Sequence, residues 1–541
     1  MNKPENLKLE KECLEIRKDL SRFAEEGWET IGEDDLQRLK WVGLFLRKPT
    51  PGYFMLRVRI PNGFAYSHQI KTLADIAGTF GNGSLDITTR QQIQVRHLRI
   101  EHVPEVFDRM ASVGLTSLQT GMDNVRNIMG CPVSGLQSVE LIDGSPFVSA
   151  LTQHILDNPE FTNLPRKFNV VISGCPHNCV EAETQDLALI PARREIQGQD
   201  VVGFNVLAGG KLGSGGYRIA SPLNVFAAPE EVVEVCSEII LLYRDHGNRE
   251  LRTANRLAFL LDDWGVDRFR KELVMRLGRP LTAAGTDLRE MKKNDHVGIY
   301  RQKQFGVNYV GLKVVTGRIT AAQFHETACL AERYGTGEIR LTPAQNIILP
   351  NVHDKRLGDL LEEPLLKELR YAPTGLTRHL VSCVGSDYCH LAAIETKTRA
   401  REVAEKMETL LDRVEPLSMH WSGCPAGCGN HLVADVGLLG KRAKVDGKVV
   451  DAVDIFVGGR TGPHPKLATR IMENVPCDIL PNVLSQIIPY HTREKMHPVR
   501  EKRRGQTRGG VDKRVPILSQ QEFTGKPAAI PETQSLGNEN V

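Results

Sequence analysis

Between Arg378 and His431 the chain carries two cysteine pairs on glycine-rich turns. They read Cys383-Val-Gly-Ser-Asp-Tyr-Cys389 and, further on, Ser422-Gly-Cys424-Pro-Ala-Gly-Cys428-Gly-Asn-His431. Thiolates are soft anionic ligands, and glycines let backbone N–H groups come close to a cluster's sulfurs. Four thiolates at these spacings suit one iron–sulfur cluster. Zinc is an alternative, because His390, His420 and His431 lie nearby, although zinc sites favour tighter knuckles with about two to four residues between ligands. Unligated core cysteines are the other alternative.

The pattern that positions these residues occurs twice. Tyr334-Gly-Thr-Gly-Glu-Ile-Arg-Leu-Thr-Pro-Ala-Gln matches Phe80-Gly-Asn-Gly-Ser-Leu-Asp-Ile-Thr-Thr-Arg-Gln, Arg378–Cys383 mirrors Arg126–Cys131, and Ser422–Cys428 mirrors Ser173–Cys179. The chain therefore reads as two diverged copies of one β/α unit related by a pseudo-twofold axis. Alternation predicts strands through Phe54–Ile60 and Leu85–Val95, and helical spacing predicts helices over 65–80, 104–113 and 321–334. Residues 1–45 read as helical, as do 230–244 and 255–276.

The copies differ where chemistry is expected. The position matching Cys389 is Gln137, so Cys131, Cys175 and Cys179 read as vestiges of a ligand set. The first copy has Arg90 where the second has Ala344, and Lys167 and Asn169 where the second has Pro416 and Ser418. One half looks built for a metal and the other for an anion.

Cys-x5-Cys followed by Ser-Gly-Cys-Pro-x-Gly-Cys-Gly-Asn resembles the sirohaem-dependent nitrite and sulfite reductases, over most of residues 25–490. The resemblance implies that Cys383, Cys389, Cys424 and Cys428 hold a [4Fe–4S] cluster and that Cys428 also ligates the sirohaem iron. It implies an α+β fold of paired ferredoxin-like half-domains and two sirohaem-binding domains. The expected division is a helical segment over 1–45, half-domains over 46–115 and 301–370, a substrate-side domain over 116–300, the cluster domain over 371–490, and a basic, disordered tail over 491–541. By the same resemblance Arg90, Arg126 and Lys167 bind the anionic substrate. Two residues after Lys167, sulfite reductases of this family commonly carry a second lysine, whereas nitrite reductases resemble this chain in having asparagine, here Asn169. Sulfite is a dianion near neutrality and nitrite a monoanion, so one fewer cation favours nitrite.

Sirohaem is a polycarboxylate, so its pocket needs cations and backbone donors. Arg57, Arg59, Arg96 and the loop starting at Gly209 and Gly210 are candidates. That loop fits no phosphate-binding pattern, and nothing resembles a flavin or nicotinamide domain. Electrons are therefore expected from another protein, ferredoxin being the family's usual donor. The expected activity is ferredoxin-dependent reduction of nitrite to ammonium, with sulfite reduction on the same cofactors as the alternative. A non-enzymatic protein using its cysteines structurally would leave the basic set unexplained.

A net charge of +3 is too small to imply nucleic acid but permits docking of an acidic partner. No run of eighteen apolar residues suggests a membrane span. Eleven cysteines without an apolar leader suit a reducing cytoplasm, where thiols bind metal rather than pair. The expected form is a cytoplasmic monomer.

Overall fold

The computed structural model describes residues 2–496 apart from 214, 292, 374, 412–415 and 446. The tail expected to be disordered from 491 lies outside these residues beyond 496, and up to that point the backbone continues the helix Leu480–Met496.

Two five-stranded sheets form the centre. In the first, Leu44–Arg47, Thr50–Val58, Ile93–Leu98 and Ser84–Ile87 are joined at the edge by Arg318–Thr320 of the second copy. In the other, Gly298–Arg301, Val307–Leu312, Ile347–His353 and Glu338–Leu341 are joined by Phe64–Tyr66 of the first copy. Each copy thus lends an edge strand to the other. The helices Ser67–Thr79 and Ala321–Tyr334 follow the lent strands, and their apolar faces enter one core that spans both sheets. Burying such leucine and isoleucine side chains contributes about 1.5–3 kcal/mol each. Thr320 starts its helix as a capping box, its hydroxyl accepting from the Gln323 N–H while the Gln323 amide accepts from the Thr320 N–H.

The expected strand Leu85–Val95 is instead an antiparallel hairpin of Ser84–Ile87 and Ile93–Leu98. The polar Thr88–Gln92 segment has no alternating apolar face, and Gln91 takes a left-handed conformation at φ 55°. The turn presents Arg90. The Gln91 amide then donates to the carbonyls of Asn62, Gly130 and Leu341. Its counterpart Gln345 donates to Ile87 and Ser382, so the two hairpins lock together symmetrically.

Each copy ends in a mixed sheet. Met129–Gly130, Val170–Ile172 and Leu187–Ile196 run parallel and are extended by antiparallel Gln199–Ala208 and Ser221–Ala227. The second copy repeats this order with Leu380–Ser382, Met419–Ser422, Val436–Val445, Lys448–Val457 and Thr469–Pro476. The cysteines stand just beyond the carboxyl ends of the parallel strands, where open α/β sheets place their ligands. In the region expected to be helical and linking, Val232–His246 and Leu257–Leu277 are helices, the second kinked at Gly265.

Candidate functional site

The turns after Leu380–Ser382 and Met419–Ser422 gather Cys383, Cys389, Cys424 and Cys428. Their thiols interact electrostatically with one another, Cys424 being raised to about 11 by burial first and then by the other three. The Gly423 N–H donates to Cys383 Sγ at 3.1 Å, and Thr396 Oγ1 lies 3.7 Å from the same sulfur. A β-carbon on Gly385 would meet the Thr396 backbone nitrogen at 2.6 Å, and one on Gly423 would meet Ala392 Cβ at 2.8 Å. Backbone donors to a sulfur, on turns that only glycine allows, fit an iron–sulfur cluster. Of the neighbouring histidines, His420 Nδ1 lies 3.3 Å from the Asn430 carbonyl and His431 Nδ1 lies 3.0 Å from Ser422 Oγ, while His431 Nε2 is buried without a partner among the described residues. Burial holds both near 4.

The loop bearing Cys424 and Cys428 is held by the first copy. Thr89 donates to the Cys428 carbonyl at 3.2 Å, Tyr217 donates to the Pro425 carbonyl at 3.2 Å, and Asn430 donates to Glu181 at 2.7 Å. The glycine-rich loop after Gln199–Ala208 lies against it. Gly213 has φ +106°, and a β-carbon there would stand 2.4 Å from the Ala426 carbonyl oxygen.

Cys428 opens into a cleft with roughly 410 Å³ of empty space, partly open to solvent, walled by Arg90, Lys167, Asn169, Arg256, Thr89 and Asn430 among others. Arg90 arrives on the hairpin turn, its N–H bonded to Thr88 Oγ1 and its carbonyl to the Asn127 amide. Lys167 and Asn169 arrive on the segment leading into Val170–Ile172. The Asn169 side-chain oxygen is buried without a partner among the described residues, so this amide end is free to bond a ligand.

Burial pulls the Lys167 ammonium well below the ordinary lysine range; Arg256 pulls it further, Cys428 opposes, and Arg90 and Arg126 add to the pull. Burial also lowers Arg90, against the opposing charge of Cys428.

Arg126 stands outside the cleft lining. Its guanidinium donates to the carbonyls of Thr120 at 2.5 Å and Met122 at 2.7 Å, within the field of Arg90. Arg57 donates to the Thr120 carbonyl and lies over the Phe45 ring, its Nε buried and unpartnered. No described carboxylate pairs with Arg57, Arg90, Arg126 or Lys167. The neighbouring acids Asp123 and Asp186 are taken by Arg252 and Arg256. An uncompensated buried cation costs several kcal/mol; Arg57 and Arg126 are buried and Arg90 and Lys167 half-buried, and a polycarboxylate macrocycle with an anionic substrate would supply the missing charge. The residues fit sirohaem.

Two sequence candidates do other work. Arg59 commits its guanidinium to the carbonyls of Leu118, Gln119, Val125 and Arg126. Arg96 forms a buried ion pair with Asp86 at 2.7 Å and lies over the Tyr388 ring. Gly209 and Gly210 are tight for packing reasons: β-carbons would strike Leu261 at 2.7 Å and the Glu183 carbonyl at 2.3 Å.

Sequence reasoning missed Arg256, which stands just before the helix Leu257–Leu277. An arginine at a cap position usually filled by Ser, Thr, Asp or Asn is the only local signal.

Comparisons with known proteins give the family. Residues 121–281 match the family described as nitrite and sulphite reductase 4Fe-4S domain, and residues 46–113 and 300–367 match the nitrite/sulfite reductase ferredoxin-like half domain. The chain is 45% identical to a ferredoxin–nitrite reductase of Synechococcus elongatus, over 90% of this chain and 96% of that protein. It is 40% identical to an assimilatory ferredoxin-dependent nitrite reductase of Haloferax mediterranei, over 87% and 86%. Among solved structures it is similar to the Mycobacterium tuberculosis NirA protein, with TM-score 0.86 and 28% identity, over 93% of this chain and 95% of that one. The chain belongs to the nitrite and sulfite reductase family.

Proposed function

We propose that the protein reduces nitrite to ammonium with electrons from ferredoxin, using a sirohaem coupled to a [4Fe–4S] cluster. The observation that carries the reading is the set of four cations without carboxylate partners beside a cleft floored by Cys428. The two relatives noted above are named as ferredoxin-dependent nitrite reductases. Cys383, Cys389, Cys424 and Cys428 would hold the cluster, with Cys428 shared with the sirohaem iron. These groups supply the electrons and the iron at which the anion is reduced.

The chain's own residues do the rest. Arg90 offers a planar fork to an oxyanion. Lys167, its acidity raised by burial and by Arg256, holds the anion and gives up a proton from Nζ as oxygen leaves as water. Arg126 and Arg57 add positive field and carboxylate-binding capacity. Asn169 fixes the cleft's charge at a level suited to a monoanion.

The same reading divides the chain into half-domains over 46–115 and 301–370, a substrate-side domain over 116–300 and a cluster domain over 371–490. It takes the protein as a cytoplasmic monomer. All eleven cysteines are free thiols, which suits a reducing compartment. No helix of the described residues is long and apolar enough to cross a membrane.

Lys167→Met tests the reading. Nitrite turnover with reduced ferredoxin should fall by about 10²-fold or more, while the sirohaem absorption and iron content stay as in the parent protein. Unchanged turnover would remove Lys167 from the chemistry.

A further inference from the structure

The first copy's cysteines are not scattered remnants. Cys131 Sγ and Cys179 Sγ lie 3.8 Å apart, and a ring nitrogen of His296 joins them, the three ligand atoms lying within 4.8 Å of one another. All three residues are buried, His296 to 1% exposure. Four thiolates around a cubane cluster must reach four separate irons, so this closeness does not suit a second cluster. It suits one ion: a tetrahedral centre with zinc–sulfur bonds of about 2.3 Å sets its sulfurs about 3.8 Å apart.

A second observation points the same way. His296 Nε2 is buried with no partner among the described residues. Its other nitrogen, Nδ1, lies 3.2 Å from the Tyr309 hydroxyl and 3.2 Å from the Gln137 amide. With the proton on Nδ1 and donated to the Tyr309 oxygen, the free lone pair sits on Nε2. A Gln137 amide turned end for end accepts the same proton, its two ends being interchangeable in shape. A ligating imidazole is held in this way, by a hydrogen bond on its far nitrogen. The residue that replaced a cluster cysteine is thus the support of a histidine ligand.

Charge agrees. The thiols sit among Met129, Val133, Leu136, Val171 and Ile190. Two thiolates and a neutral imidazole on a divalent cation are neutral overall, the state an apolar surrounding tolerates. Cys175 stands beside the group, its Sγ 3.8 Å from the Gln137 Oε1.

We propose that Cys131, Cys179 and His296 bind a single zinc ion that staples the first copy. The ion would join the turn after Met129–Gly130, the loop after Val170–Ile172 and the segment entering Gly298–Arg301, tying the anion-binding half to the sheet of the other copy.

The test is metal analysis of the protein purified anaerobically with cluster and sirohaem in place. Zinc should be present at about one per chain, with an X-ray absorption first shell of sulfur near 2.3 Å and nitrogen near 2.0–2.1 Å. In the Cys131→Ser/Cys179→Ser protein zinc should fall at least about tenfold, while iron, labile sulfide and sirohaem absorption are unchanged. Zinc below about a tenth per chain in the parent protein overturns the proposal, as does zinc retained in the double variant. Should that variant not fold, His296→Gln and the parent protein's absorption shell decide the matter: a shell without sulfur is equally fatal.

Discussion

Arg256 meets Asp186 as a fork on a fork, Nε 2.7 Å from one carboxylate oxygen and an Nη 2.6 Å from the other, both side chains about 1% exposed. The same Asp186 accepts the Asn169 backbone N–H at 2.8 Å. In the second copy Asp435 accepts from Ser418 in the matching place, with Lys441 and Arg470 directed instead to Asp454. One aspartate position therefore anchors the strand in both halves, and in the first half Asp186 also holds Arg256 at the cleft. Removing one partner of a buried ion pair costs about 3–5 kcal/mol. Asp186→Asn should lower unfolding stability by that order in denaturant titration, because Arg256 then joins the unpaired cations. A loss no larger than that of an exposed pair would mean the fork is not energetically coupled to the fold.

Arg256 is also the largest charge depressing Lys167, which gives a pH dependence with a defined sign. In the reading proposed above, nitrite is held by the charged ammonium. A lowered folded-state pKa means that this charge is lost as pH rises, at a lower pH than for an exposed lysine. The Michaelis constant for nitrite should therefore climb on the alkaline side. Arg256→Met should move that limb to higher pH, and Lys167→Arg should abolish it, since guanidinium stays charged. A limb that stays in place in both proteins assigns the titration to another group.

The cluster turns and the repeat were legible because both are local: spacing and self-similarity survive without knowledge of the fold. The proposed anion set stands out by difference, since Arg90, Lys167 and Asn169 stand where the other copy has Ala344, Pro416 and Ser418. What could not be read depends on long-range closure. Phe64–Tyr66 pairs with Glu338–Leu341 across more than half the chain, and Arg256 reaches Asp186 from a helix whose pattern reports only its own apolar face. Arg59 and Arg96 carry the same charge as Arg90, and only the placement of backbone carbonyls and Asp86 distinguishes them.

Gly213 offers a packing test of how the halves cooperate. It combines φ +106° with a β-carbon position 2.4 Å from the Ala426 carbonyl oxygen, between Cys424 and Cys428. Gly213→Ala must push that turn away or move its own loop. Iron and labile sulfide per chain should drop below the parent values. Gly198→Ala is the control, having positive φ but nothing within 4 Å, so it carries backbone strain of about 1–2 kcal/mol alone and should keep its iron. Equal iron in both proteins would show that the glycine loop does not set the cysteine turn.

In the reading proposed above, Asn169 carries the choice between anions. Its backbone is fixed by Asp186 and its side-chain oxygen is buried without a partner, so a substitution acts on the cleft rather than on the strand. A lysine there adds a positive charge beside Lys167 and Arg90, whose repulsion is relieved more by a dianion than by a monoanion. Asn169→Lys should therefore raise the ratio of kcat/KM for sulfite to that for nitrite by about tenfold, a difference of about 1.4 kcal/mol between the two transition states. Nitrite turnover itself should fall, because the added charge depresses the Lys167 ammonium further, so less of it is in the charged form that holds the anion. Both anions are measured with one donor and one preparation, so cofactor loss affects numerator and denominator alike. A ratio unchanged by the substitution would place the discrimination outside the charge of this cleft.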